Sequence, residues 1–137
     1  FDDLALPPGD VGYAPDGRRF LGSTFDPSGL YRFNAVQNML AAEGLTTALI
    51  SDHVAGLQTQ FLADGQLADF ELLNPVGARP HARFLAFRGD GAPALHQVLD
   101  EQNVVTDVRG DVLRIGFALY HDAEDVERLT KIIGQLL

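Results

Sequence analysis

The 137-residue chain contains no cysteine. A disulfide framework, a thiolate metal site and thiol nucleophiles are therefore excluded. Lysine is almost as scarce. Lys131 stands alone against nine arginines, so any lysine-dependent chemistry in this chain rests on that one residue. Basic residues as a whole are few: 10 against 19 acidic ones, a net charge of −9. That balance argues against nucleic acid and anionic membrane surfaces as partners. The four histidines, His53, His81, His96 and His121, are scattered without H-x-x-x-H or H-E-x-x-H spacing, so no histidine-based metal site is expected. No apolar run reaches the length of a membrane span, and the opening FDDLALPPGD does not read as a signal peptide. A cytoplasmic location is the default expectation.

What is present suffices for a folded core: 46% of residues are hydrophobic. Residues 1–25 are rich in Pro and Gly, have no sustained period and read as extended loop. Such a beginning reads as the middle of a longer protein. A helix is expected from Asp26-Pro27, an N-cap followed by a first-turn proline, to Gly44. Leu30, Phe33, Val36 and Leu40 form its apolar stripe. A second helix, capped by Thr46 or Thr47, runs to about Gly65 with Ile50, Val54, Leu57 and Phe61 on its buried face. After a short strand at Phe70–Leu73, the chain reads as β-α-β-β-α. A strand runs through Phe84–Phe87, and a helix opened by Pro93 closes near Asn103. Strand 104–109 then turns at Gly110-Asp111 into the strand beginning DVLRIGF. A last helix follows, capped by Asp122 with Asp125 three residues on; Val126, Leu129, Ile133 and Leu136 are its buried stripe. An antiparallel sheet with helices on one face is the natural layer arrangement. The expected division is a loop and helical arm over 1–65 and a small β-α-β-β-α domain over 66–137.

Two places could carry chemistry. In DVLRIGFALY, alternation puts Leu113, Ile115 and Phe117 on one face and Arg114, Gly116 and Ala118 on the other. An arginine among small residues leaves room for a ligand, and a guanidinium holds a carboxylate bidentately as lysine cannot. The simpler reading is structural. A two-residue turn at Gly110-Asp111 sets Arg109 opposite Val112, Val108 opposite Leu113 and Asp107 opposite Arg114, which makes Arg114 a cross-strand partner of Asp107. The second place is Gly22-Ser23-Thr24, just before a helix N-terminus. Backbone N–H groups, two hydroxyls and the helix dipole suit a phosphate there, although ordinary capping by Asp26 accounts for the same residues.

At this point LRIGFALYHDAEDVERL resembles the C-terminal signature of class V pyridoxal-phosphate aminotransferases, kynureninases in particular. RFLGSTFDPSGLYRFNAV resembles that family's Phe-x-x-Gly-Thr loop and following helix, in the expected order and spacing. The resemblance spans about Arg18 to Leu136. It implies the small C-terminal domain of a fold type I enzyme, an α/β enzyme of which this chain is an α+β fragment. It also implies pyridoxal 5′-phosphate as cofactor, an amino acid as substrate and a homodimer in the full-length protein. Arg114 takes the place of the arginine that holds the substrate α-carboxylate. Gly22, Ser23 and Thr24 take the place of the loop that touches the cofactor phosphate. The Schiff-base lysine of the family has no counterpart, because Lys131 lies in no matching motif. The chain is thus expected to be the C-terminal portion of a longer enzyme and inactive alone. The missing cysteine disfavours a desulfurase. FDPS stands where kynureninases carry an Asn-Pro pair, so the resemblance implies a kynureninase-like aminotransferase. The competing expectation is a stand-alone small-ligand-binding or dimerisation module on the same sheet.

Overall fold

The computed structural model describes residues 12–13, 15–20, 26–77 and 81–136. The chain divides into two units, Phe1–Gly44 and Leu45–Leu137. In the first, a short 3-10 turn spans Gly17–Phe20, where the sequence suggested only extended loop, and α1 spans Ser28–Ala42. Asp26 Oδ1 accepts hydrogen bonds from the Ser28 N–H at 2.9 Å and the Ser28 hydroxyl at 2.6 Å, a local aspartate turn; the N-cap of α1 is Pro27 rather than the expected Asp26, and no side chain caps the helix. The apolar stripe of α1 is not buried: Leu30, Phe33 and Val36 are exposed, and no residue of the helix is in the core.

The second unit is the α+β domain. Its elements are α2 (Thr47–Ala63), β1 (Glu71–Leu72), β2 (Phe84–Arg88), α3 (Ala92–Glu101), β3 (Asp107–Arg109), β4 (Val112–Gly116) and α4 (Ala123–Leu136). The four strands form one antiparallel sheet in the order β1-β2-β4-β3. Thr46 caps α2, its hydroxyl accepting from the Leu49 N–H at 3.2 Å. Asp122 and Asp125 cap α4 reciprocally: Asp125 N–H donates to Asp122 at 3.0 Å, and Asp122 N–H donates to Asp125 at 3.2 Å. Aspartate at the third helical position therefore closes a capping box as glutamate does elsewhere. Gly110, with φ 60°, takes the first position of the β3–β4 hairpin turn, a backbone conformation glycine adopts without steric cost.

Leu85 and Phe87 of β2 and Leu113 and Ile115 of β4 point to one side of the sheet. There they share a core with Val54, Leu57 and Phe61 of α2, Leu95 and Leu99 of α3, and Val126 and Ile133 of α4. Leu85, Leu99, Leu113 and Ile133 are fully buried. Burying side chains of this size contributes about 1.5–3 kcal/mol each, which is the main reason the domain holds. Phe61 joins the layers through rings, its centroid 6.1 Å from that of Phe87 and 5.9 Å from that of Phe117. Because α2 belongs to this core, the compact unit begins at Leu45; the sequence pattern had grouped α2 with the preceding arm. Gly134, a weak residue inside α4, lies against the end of the Gln66 side chain: a Cβ there would stand 3.0 Å from the side-chain oxygen.

Candidate functional site

The period of two in β4 decides what its faces carry. With Leu113 and Ile115 in the core, Val112, Arg114 and Gly116 fall on the face away from α2, α3 and α4. The hairpin register is the one the two-residue turn dictates: Arg109 pairs Val112, Val108 pairs Leu113, and Asp107 pairs Arg114. On its other side β4 pairs β2, and there Arg114 lies opposite Ala86 and Gly116 opposite Phe84. Arg114 thus has an aspartate on one flank and a small residue on the other.

Arg114 is held on two sides. Its Nη2 donates to Asp107 Oδ2. The guanidinium carbon lies 5.2 Å from the centroid of the Phe84 ring, within the range of a cation–π contact. The Arg114 side chain is 27% exposed, and its Nε is buried without a hydrogen-bond partner. A buried donor left unpaired costs about 1–3 kcal/mol, more on a charged group.

Charge is distributed unevenly on this face. Asp107 also accepts from Arg109 Nε at 3.3 Å, so one carboxylate serves two guanidiniums. Arg88 has the reverse arrangement, with Glu71 at 3.2 Å and Asp111 at 3.7 Å. The Asp107–Arg114 end is therefore locally positive despite the net charge of −9. The bond from Arg114 holds the Asp107 carboxyl below the usual carboxylate range, against a lesser upward push from desolvation, with the charges of Arg114 and Arg109 adding to the lowering.

The remaining candidates separate cleanly. Gly22, Ser23 and Thr24 lie outside the described residues. Lys131 is exposed in the middle of α4, on the opposite side of the sheet from Arg114. Where β3 and β4 cease to pair, beyond Asp107 and Arg114, a cleft of about 700 Å³ opens between residues 102–106 and 115–121, with α4 as its other wall. Residues 104–106, expected to extend the strand, form the lip of this cleft instead. Arg114 is not part of its wall, and Asp125 and Arg128 at its rim are paired with each other. The turn into α4 is fixed by the His121 ring: Nδ1 accepts from the Ala118 N–H at 3.1 Å. The His53 ring holds the same turn, its Nε2 lying 2.9 Å from the His121 carbonyl oxygen. Sequence reasoning missed Phe84 and Arg109 as partners of the Arg114–Asp107 pair. Arg109 was legible from its i, i+2 relation to Asp107 on one strand; Phe84 needed the β2–β4 register.

Among the described residues no cluster of histidine, aspartate and glutamate could hold a metal ion, and no helix is long and apolar enough to cross a membrane. A four-stranded antiparallel sheet with three helices on one face, and charged residues on the other around a half-buried arginine, defines a small α+β domain. Residues 46–133 match the family described as the kynureninase C-terminal domain, and the chain belongs to that family. A search of curated proteins gave no match.

Proposed function

We propose that this chain is the C-terminal part of a pyridoxal-phosphate-dependent, kynureninase-like enzyme of the class V aminotransferase type, acting on an amino acid. Arg114 holds the substrate α-carboxylate. The single observation that carries this reading is the state of that arginine. It is half-buried on the sheet face away from α2, α3 and α4, Nη2 is engaged by Asp107, the guanidinium lies over Phe84, and no described residue takes the Nη1 donors. A guanidinium arranged so is a preorganised donor for a planar anion. Family membership over residues 46–133 supports the enzyme context.

The cofactor itself is not accommodated by the described residues alone. A pyridoxal phosphate site needs an amine for covalent attachment and a cradle for phosphate. The one lysine is exposed on α4, away from Arg114, and the Gly22-Ser23-Thr24 loop lies outside the described residues. The attachment lysine belongs to another part of the enzyme, and Gly22, Ser23 and Thr24 contact the cofactor phosphate in a homodimer. This chain's contribution is to bind and orient: a carboxylate fixed at Arg114 leaves the bonds at the substrate Cα one defined direction.

The test is Arg114→Lys in the enzyme that carries this domain. Lysine keeps the charge and loses the fork, so KM for amino-acid substrates should rise roughly 10-fold or more, with the bound-cofactor absorbance unchanged. An unchanged KM would count against the carboxylate role. A visible cofactor band from the 137-residue chain alone, after addition of pyridoxal phosphate, would overturn the assignment of the lysine to another part.

A further inference from the structure

We propose that Asp107 is the positioning residue of the Arg114 site, fixing which edge of the guanidinium an incoming carboxylate meets. The inference rests on the reading of Arg114 as a carboxylate holder and adds to it the means of orientation.

The argument starts from register. Asp107 and Arg114 are directly opposite across the β3–β4 pair, so the carboxylate always approaches the guanidinium from the β3 side. It engages Nη2 and leaves Nε without a partner. A guanidinium has five N–H groups in a fixed plane; Nε–H shares the Nη2 edge and is buried, so with Nη2 taken by Asp107 the donors presented to a ligand are those of Nη1. Phe84 fixes the plane from the β2 side, 5.2 Å from the guanidinium carbon. Two contacts from two different strands thus set both the tilt and the in-plane rotation of a side chain that is otherwise long and flexible.

The obvious objection is that an aspartate beside a carboxylate site competes with the ligand. Arg109 answers it. On the same strand and face as Asp107, its Nε donates to the same carboxylate at 3.3 Å. The cluster of Arg109, Asp107 and Arg114 keeps a net positive charge with Asp107 ionised, so a ligand carboxylate is still attracted. Asp107 therefore orients Arg114 without neutralising the site.

The experiment follows the Arg114 Nε–H signal and the Gly116 and Ala86 backbone amides in the isotope-labelled chain by NMR, at neutral pH. The probe is L-alanine, with sodium chloride at matched ionic strength as control. The wild-type chain should give saturable shifts with L-alanine and not with chloride, and Arg114→Lys should abolish the amide response. Asp107→Asn should weaken apparent affinity roughly three- to tenfold, with far-UV circular dichroism unchanged and at most a small fall in thermal midpoint, and Asp107→Glu should restore part of the loss. Asp107→Ser serves as a second variant if the asparagine form does not fold. Unchanged or tighter binding in Asp107→Asn, with Arg114→Lys still abolishing it, overturns the positioning role and leaves the Arg114 site standing. No saturable response in the wild-type chain, or one that survives Arg114→Lys, overturns both.

Discussion

Gly116→Val separates what the fold needs from what a ligand needs. Gly116 is the β4 residue two places beyond Arg114 on the same face, cross-strand from Phe84. Its backbone is not in the left-handed region, and a Cβ built there meets no atom within 4 Å. Among the described residues, neither conformation nor packing calls for glycine. A strand-interior glycine costs about 0.5–1 kcal/mol relative to a residue with a side chain, and a valine opposite an aromatic adds about 0.2–1 kcal/mol of cross-strand contact. The variant should therefore be more stable, by roughly 0.7–2 kcal/mol in all. For a domain of this size that is a rise in thermal midpoint of roughly 3–16 °C, measurable by circular dichroism. Two methyl groups beside the guanidinium also narrow the approach to it. L-alanine affinity, read from the Arg114 Nε–H signal, should fall roughly tenfold, about 1.4 kcal/mol. A lowered midpoint refutes the claim that the glycine has no structural role. A raised midpoint with unchanged affinity refutes the claim that the ligand passes over Gly116.

Two further outcomes follow from the same geometry. Asp122→Ala removes one half of the reciprocal cap on α4 and should destabilise the domain by about 1 kcal/mol in urea unfolding, with no effect on the L-alanine response of Arg114. The second concerns acid. The Asp107 carboxyl is held below its ordinary value by Arg114, so its folded-state pKa is lower than its unfolded one. Its contribution to stability is complete above the ordinary carboxylate pKa and is lost as pH falls through the depressed folded value. Asp107→Asn should therefore flatten the acid limb of the stability profile measured by urea unfolding, below about pH 4, and leave the profile near neutrality with its original shape; an unaltered acid limb would contradict the ion pair.

Local chemistry was the legible part of the sequence. Thr46 and the Asp122–Asp125 pair specify helix starts through bonds made within four residues. Gly110-Asp111 specifies a two-residue turn, and from that turn the whole β3–β4 register follows by counting, including Asp107 opposite Arg114. Features set by distant parts of the chain were not legible. An apolar stripe such as Leu30, Phe33 and Val36 shows that a face can be buried, not what buries it, and α1 has no buried residue. Residues 104–106 have the β-branched composition of a strand, but they stop pairing where β4 runs on towards Phe117 and the turn held by His121 and His53. The order β1-β2-β4-β3 and the placing of Phe84 beneath Arg114 depend on a pairing across 30 residues of intervening chain, for which no local signal exists.

The two readings of Arg114 that spacing alone set against each other are compatible in the folded chain, for a reason specific to the guanidinium. A lysine paired with Asp107 presents a single charged point, and a second carboxylate has to share or displace the first. Arginine spreads its charge over three nitrogens with separate directions. Asp107 takes Nη2; the Nε N–H lies on that same edge, buried and without a partner among the described residues, and the donors left for a ligand are those of Nη1. The cross-strand pair expected of an ordinary hairpin therefore leaves a second binding edge intact, and the Phe84 ring under the plane keeps that edge from turning away. An exposed ion pair at the rim of a sheet contributes about 0–1 kcal/mol, so the Asp107–Arg114 pair carries little of the fold's stability, and replacing either residue reads out ligand binding rather than folding.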